Sequence, residues 1–502
     1  MAICLFTKKH FDGSGDVVQS VKIADFIQTF VEKSKSKLLQ DESTIIVVED
    51  DKNKAIATHF ISALNPKVQV KKLSELTAEK LNISCCIEAG YTRFNWEKEL
   101  SFKGKKPPLV FMPEYDNDVS RRSPEALKIL GGFDKSVGDV GVIPSVSLLS
   151  ATADPTISKE GLHHAFEKLD TRLKKYLGKD FEDFQVYRKQ HNFTYQYSHD
   201  RNSYPTFFAN ALMYLPWDLE EEVTQGREYS PVQFFFQEHI MLTGNTSKSQ
   251  DVLCIGENPK SKIDALISVK EMLIAQGYTK ISFIDIESGS QQIIYENGTE
   301  GAADKEYRVL YSKSMPFSTM QKLPLIANDI VGVTGDQSLV EAMSANKLVS
   351  YECVSHKKDF AKGYLKAVQQ EISSGDYPGT SNLDVELLAR FLIKPTYRCD
   401  NVEYKSEEVA RLLSDKKTVN ALKKINRRLV EQSQYFASIE KILRSEVIPY
   451  LTSQRNLNNS NQKIDHIKEQ LDVSSKDRFF TKKMAVDQTS NDEMRQDLFK
   501  VP

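Results

Sequence analysis

The stretch Val331–Glu352, VGVTGDQSLVEAMSANKLVSYE, decides how this chain is organised. It starts with a short apolar run and continues through the polar residues Gly335-Asp336-Gln337-Ser338. A segment with helical apolar spacing, LVEAMSA, then leads into a second apolar run. This order predicts a strand, a turn, a helix and a second strand of one parallel sheet. The polar turn then lies at the carboxyl end of a buried strand, where open parallel sheets bind their ligands.

The same alternation of apolar runs and helical patterns occurs in both halves of the 502-residue chain, for example at Ser43–Val48 and Val252–Ile255. Strands that alternate with helices favour a parallel sheet covered on both faces, and 502 residues exceed the size of one core. We therefore predict an α/β fold with two doubly wound, Rossmann-like domains facing across a cleft. The predicted parts are an N-terminal domain at 1–185, a second domain at 190–400, C-terminal helices at 401–455 and a flexible polar tail at 456–502.

Composition excludes several classes of protein. Lys+Arg of 67 against Asp+Glu of 69 leaves a formal net charge of −2, so we expect no nucleic-acid partner. The six cysteines form no CxxC pair, which favours reduced core thiols over a structural zinc site. No run of about 18 apolar residues and no signal peptide is present, so we expect no transmembrane segment. We expect the protein in the cytoplasm, or secreted into a host cell without a cleaved signal peptide.

A glycine-rich turn follows the first predicted strand and reads Asp12-Gly13-Ser14-Gly15-Asp16. Val18 replaces the third glycine of a dinucleotide-binding loop, and an acid within the loop would repel a pyrophosphate. Asp16 suits a general base that removes a proton from an acceptor. A helix N-cap explains the same residue, and local spacing alone leaves both interpretations open.

The second candidate site is the polar turn of the opening stretch. Asp336, Gln337 and Ser338 carry groups that bond to ribose hydroxyls or phosphate, and the helix that follows attracts anions to its N-terminus. Glu341, one turn further, is placed to accept paired hydroxyls, or to stabilise the helix as a first-turn acid. In FTYQYSHD, Tyr197 is a candidate sugar contact; a buried aromatic strand end also explains it.

The order PFSTMQKLPLIAND, IVGV, TGDQS, LVEAMSANK, LVSYE resembles the nucleotide-sugar half of GT-B glycosyltransferases. The stretch GSGDVVQSVKIADF is similar to the G-D-V turn of heptosyltransferase-like and protein-arginine rhamnosyltransferase-like bacterial enzymes, whose Asp is the catalytic base. The rhamnosyltransferases carry G-E-D-S where this chain has Gly335-Asp336-Gln337-Ser338.

This resemblance implies a glycosyltransferase that moves a sugar from a nucleotide-sugar donor to a protein or glycan acceptor, with inversion and without a metal or other cofactor. It implies Asp16 as the base and Lys260 or Lys262 as the cation on the diphosphate. The full set of residues expected to bind the nucleotide sugar is Gly335, Asp336, Gln337, Ser338, Glu341, Lys260, Lys262, Gln321, Phe317 and Tyr197.

Two alternatives are open at this point. Asp116-Asn117-Asp118 follows a predicted strand, and a D-x-D in that place is the metal-binding mark of GT-A glycosyltransferases. The second alternative is an interaction protein, such as a bacterial effector, that keeps the fold without catalysis. Activity against activated sugars, with Asp16→Ala as the control, separates an enzyme from such a protein.

Overall fold

The computed structural model describes residues 2–7, 15–79, 82–89, 100, 106–112, 126–129, 158–198, 231–244, 246–297, 305–353, 358–375, 377, 379–395, 406–433 and 435–457. Of Asp16 and Asp336 only the backbone belongs to this description. The tail predicted at 456–502 lies almost wholly outside it.

The first sheet has six parallel strands in the order β3-β2-β1-β4-β5-β6. Its central strands are buried on both faces because they are almost continuously apolar, as STIIVV of β2 illustrates. Cys4 and Cys85 lie in these strands as buried free thiols, as predicted. The strands are β1 Ala2–Phe6, β2 Ser43–Val48, β3 Gln69–Lys72, β4 Ile83–Ala89, β5 Leu109–Met112 and β6 Leu127–Lys128.

Helices cover this sheet through apolar stripes with helical spacing. The first helix buries Val17, Val21, Ala24, Ile27 and Val31, which recur every three or four residues and so share one face. The helices of this part are α1 Gly15–Lys33, α2 Lys37–Gln40, α3 Asp51–Leu64 and α4 Leu73–Glu79.

The second sheet has eight strands in the order β10-β9-β11-β8-β7-β12-β13-β14. All neighbours are parallel except β10, which is antiparallel to β9 at the edge. The strands are β7 His191–Tyr197, β8 Ser249–Ile255, β9 Lys280–Asp285, β10 Gln291–Glu296, β11 Glu306–Ser312, β12 Ile330–Thr334, β13 Leu348–Cys353 and β14 Ile393–Pro395.

Helices flank the second sheet, and the single helix predicted over 262–276 is divided in two by Val269. The helices between β6 and β11 are α5 Lys159–Glu167, α6 Thr171–Leu177, α7 Phe181–Gln190, α8 Pro231–Thr243, α9 Pro259–Ser268 and α10 Lys270–Ala275. Those that follow are α11 Phe317–Met320, α12 Leu323–Ile326, α13 Asp336–Ser344, α14 Lys358–Ser374, α15 Asn382–Leu392, α16 Ser406–Ser414, α17 Lys416–Ser433 and α18 Tyr435–Ile442.

The predicted domain boundary near residue 185 differs from the packing. Helices α5, α6 and α7 bury Leu162, Phe166 and Phe184 in the same core as the second sheet, so the second domain starts by residue 159. The aromatic residues of α7 require a large apolar surface, and β7, which follows directly, belongs to the second sheet.

The C-terminal helices are shared between the two domains. Helices α16 and α17 join the core of the second domain, whereas Ile439, Leu443 and Leu451 of the last helical segment belong to the core of the first. Two doubly wound domains with a final helix that returns to the first one form the GT-B arrangement, so the predicted fold class is confirmed.

Candidate functional site

The second sheet reverses its winding at β7, which lies between β8 on one side and β12 on the other. Such a switch point opens a crevice at the carboxyl ends of the strands. Gly332 of β12 pairs with Gln196 of β7, and this register sets Ser198 level with Thr334. Neighbouring strands lie about 4.8 Å apart, so groups that follow β7 and β12 meet at this edge.

The turn after β12 contains fewer residues than the sequence predicts. Helix α13 begins at Asp336, whereas the sequence predicts its start at Leu339, so Asp336, Gln337 and Ser338 form the first helical turn. Gly335 is the N-cap with φ 81° and ψ 144°, a region that is almost exclusive to glycine. Among the described residues, no atom lies within 4 Å of a Cβ built on Gly335, so they leave space beside the first N–H groups of α13, which have no partner within the helix.

Two glutamine side chains of the predicted set have buried amide nitrogens. Nε2 of Gln337, in the first turn of α13, and Nε2 of Gln321, at the end of α11, find no hydrogen-bond partner among the described residues. An amide nitrogen without an acceptor is costly to bury, and a carbonyl or hydroxyl of a ligand would satisfy it. Ser338 is half-buried beside them.

The two predicted lysines of helix α9 have different positions. Lys260, in the first turn of α9, is exposed to solvent, as expected for a solvated helix start. Lys262 is fully buried, and its Nζ donates a hydrogen bond of 2.9 Å to Oγ of Ser198, at the end of β7. Nζ of Lys262 therefore lies at the carboxyl end of β7, the strand that neighbours β12.

Glu341 has a partner that sequence reasoning missed. Its carboxylate accepts a hydrogen bond and forms an ion pair with Lys22, which lies on α1 of the first domain. Lys22 is 1% exposed. Burial lowers the pKa of Lys22, and the charge of Glu341 opposes that shift. The only signal in the sequence was a lysine on the otherwise apolar pattern of α1.

Phe317 takes part in the same contact between the domains. Its ring centroid lies 5.9 Å from Nζ of Lys22 and 4.8 Å from the ring of Phe60 on α3, with an edge-to-face geometry. Lys322, one turn on, is a further cation near this point; burial lowers its pKa, the charge of Lys168 lowers it further, and Glu341 counteracts both.

Tyr197 lies half-buried at the end of β7, next to Ser198. Burial raises the pKa of Tyr197, and the nearby charge of Glu352 raises it further. The phenol is therefore protonated at neutral pH and is able to donate a hydrogen bond. Tyr195 is fully buried, so the structural explanation for the aromatic strand applies to it.

The predicted base lies in the first domain, at the start of the helix that follows β1. Asp16 lies in the first turn of α1, six residues before Lys22 and so about 9 Å along the helix axis from it. Its side chain lies outside the described part of the chain, so its role stays a prediction. Glu88, near the end of β4, is an acid that sequence reasoning missed; it is 1% exposed and pairs with Phe6 at the end of β1.

Within the described ranges, no group of three or more His, Cys, Asp or Glu side chains is placed to hold a metal ion. Asp116 and Asp118 of the D-x-D alternative lie outside those ranges. In the part of the chain that the structure describes, no helix is both long and apolar enough to cross a membrane. The described residues at the ends of β7 and β12 thus include a buried lysine, a helix N-terminus and the amide nitrogen of Gln337, groups that suit a phosphorylated, hydroxyl-rich ligand.

No protein-family model and no curated protein sequence matches the chain. Among solved structures it is similar to Anabaena HepE in complex with UDP and glucose, at 10% identity over 92% of this chain and 100% of that one, with a TM-score of 0.34. It is also similar to UDP-GlcNAc 2-epimerase from Neisseria meningitidis, at 10% identity over 88% and 100% with a TM-score of 0.37. A third similar structure is the E. coli heptosyltransferase WaaC with ADP, at 8% identity over 72% of this chain and 89% of that one, with a TM-score of 0.25. Similarities this weak assign no activity to the chain.

Proposed function

We propose that this protein is an inverting, metal-independent GT-B glycosyltransferase that transfers a sugar from a nucleotide-sugar donor to a protein or glycan acceptor. The second domain binds the nucleotide sugar at the carboxyl ends of β7 and β12. The first domain binds the acceptor and supplies the base.

The observation that carries the proposal is the position of Lys262. A fully buried lysine needs hydrogen-bond partners, and Nζ of Lys262 donates to Oγ of Ser198 at the switch point of the sheet. Next to it, Gly335 leaves open space at the first turn of α13, where the backbone N–H groups and the helix dipole attract an anion. A buried cation beside an open helix N-terminus supports a diphosphate site.

The other predicted residues supply recognition of the nucleoside and sugar. Phe317 offers a ring for stacking on the base, and the amide nitrogens of Gln321 and Gln337 offer donors for carbonyl oxygens. Glu341 is the acceptor for ribose hydroxyls. Tyr197, at the same strand end as Ser198, is a donor toward the sugar.

In the proposed reaction, a nucleophilic oxygen or nitrogen of the acceptor attacks the anomeric carbon, and the bond from that carbon to the diphosphate oxygen breaks. Asp16 takes the proton of the nucleophile. The electron pair of the broken bond goes to the departing diphosphate, whose charge is stabilised by Lys262 and the N–H groups of α13. Attack from the face opposite the leaving group inverts the anomeric centre.

The test is titration calorimetry with a panel of nucleoside diphosphates, including UDP, ADP, GDP and dTDP. We expect at least one to bind. Lys262→Met keeps the volume of the buried side chain and removes its charge, and we expect it to weaken binding at least about tenfold, or 1.4 kcal/mol. Lys260→Met is the matched control, since it removes an exposed charge from the same helix. Absence of binding for the whole panel, or equal losses in the two variants, contradicts the proposal.

A further inference from the structure

A cluster of four residues, here called the interdomain cluster, joins the two domains across the cleft. Lys22 and Phe60 come from helices α1 and α3 of the first domain. Glu341 and Phe317 come from helices α13 and α11 of the second. Lys22 is central, because it forms the ion pair with Glu341 and also lies over the ring of Phe317.

The two charged groups of the cluster interact strongly only when they are paired with each other. Lys22 is 1% exposed, and the side chain of Glu341 is 14% exposed, so both charges have lost most of their water. The net gain from such a pair is small, yet removing one partner is costly because the other charge stays buried. The pair therefore discriminates sharply between a closed cleft, in which both charges are matched, and an open one, in which water solvates both.

The cluster also occupies groups that the nucleotide needs. Glu341 lies on α13, the helix that begins after Gly335, and Phe317 is the first residue of α11, whose C-cap is Gln321. While Lys22 holds the carboxylate of Glu341 and covers the ring of Phe317, neither group is available to a ribose or a base.

We propose that the interdomain cluster is an autoinhibitory contact: the Lys22–Glu341 pair closes the empty cleft, and a nucleoside diphosphate binds only to the fraction of molecules in which Lys22 has left Glu341. This inference rests on the proposed function for the identity of the competing ligand, though not for the closure itself. The apparent dissociation constant of a nucleotide equals the intrinsic constant divided by the fraction of molecules that are able to bind it. Removing Lys22 therefore increases the affinity for the nucleotide.

The experiment uses the full chain and the Lys22→Met variant, with two measurements. Small-angle scattering without nucleotide reports closure, and we expect the radius of gyration of Lys22→Met to exceed that of the parent. Calorimetry with UDP and dTDP reports competition, and we expect the variant to bind at least about fivefold more tightly, within the range of typical coupling between sites.

Lys54→Met is the matched control. It breaks an ion pair with Glu75 that lies within the first domain, with both side chains 34% exposed. We expect neither the radius of gyration nor the nucleotide affinity to change. Glu341→Gln is the second variant, used also if Lys22→Met does not fold. It opens the cleft in the same way, and it is read by the radius of gyration alone, because its neutral amide also changes the acceptor offered to a ribose.

An unchanged radius of gyration in both Lys22→Met and Glu341→Gln overturns the closure. A larger radius with weaker nucleotide binding in Lys22→Met overturns the competition, since Lys22 would then be a ligand of the nucleotide. If neither UDP nor dTDP binds the parent or the variant, the competition for these ligands is refuted. The full panel of nucleoside diphosphates then decides the proposed function, and the scattering result decides whether the cluster closes the cleft.

Discussion

Replacing Gly335 with alanine separates the role of this turn in ligand binding from its role in stability. The residue has φ 81° and ψ 144°, and an added Cβ meets no atom within 4 Å, so steric contact with neighbours contributes nothing to the cost. The cost is backbone strain alone, about 1–3 kcal/mol for a non-glycine residue in this region. We expect the free energy of unfolding to fall by that amount.

The strain of Gly335→Ala has a second consequence. The chain relieves it by rotating the peptide at Gly335, which turns the first N–H groups of α13 away from the open space beside them. The new methyl group also enters the space where a phosphate would approach the backbone. We therefore expect the affinity for nucleoside diphosphates to fall at least about tenfold.

Gly277 provides the matched control for Gly335→Ala. It has the same φ of 81° and equally open surroundings, but it lies in the turn between α10 and β9. Gly277→Ala should cost about 1–2 kcal/mol of stability and leave nucleotide affinity at the parental value. Urea unfolding and calorimetry on the same preparations measure both quantities. Equal affinities for the two variants would refute the assignment of the turn at Gly335 to the ligand site.

Three other predictions follow from the site and the core. Asp16→Asn should keep the melting temperature, because Asn caps a helix nearly as well as Asp, while single-turnover sugar transfer falls at least about a hundredfold; near-parental transfer would make Asp16 a cap. Transfer should persist in the presence of a chelator, and loss that manganese or magnesium restores would instead favour Asp116 and Asp118. Burial lowers the pKa of His239 to about 4, so the unfolded chain binds the proton more readily than the folded chain. The free energy of unfolding should therefore fall by up to about 3 kcal/mol as the pH drops from about 6.5 to 4. Urea unfolding should show a weaker pH dependence in His239→Gln, and an equal slope would contradict the prediction.

The fold class was predictable because each strand and each covering helix of a parallel sheet has its own local pattern of apolar residues. Each central strand must be apolar on both faces, as in Ser43–Val48, and each covering helix must repeat its apolar residues every three or four positions, as in α1. Edge strands carry a weaker signal: β10 reads QQIIYE and is largely exposed, and β14 has three residues, so neither was predicted.

The domain boundary and the start of α13 show what local patterns miss. Helices α5 to α7 have the same amphipathic pattern whichever sheet they cover, so only the packing of Phe166 and Phe184 assigns them to the second domain. Asp336, Gln337 and Ser338 are typical of turns, yet Gly335 alone makes the turn and the three polar residues enter the helix.

The sequence by itself determined the two alternating α/β halves, the glycine at the turn after β12 and the pair of lysines on α9. Only the tertiary structure distinguished Lys262, which is buried against Ser198, from Lys260, which is exposed, because the two residues are two positions apart and point in different directions on the helix. It also decided the partner of Glu341, since Lys22 is 319 positions away along the chain. Contacts between domains leave almost no trace in local periodicity, because a buried ion pair needs one residue on each side and any pair of helices can supply it.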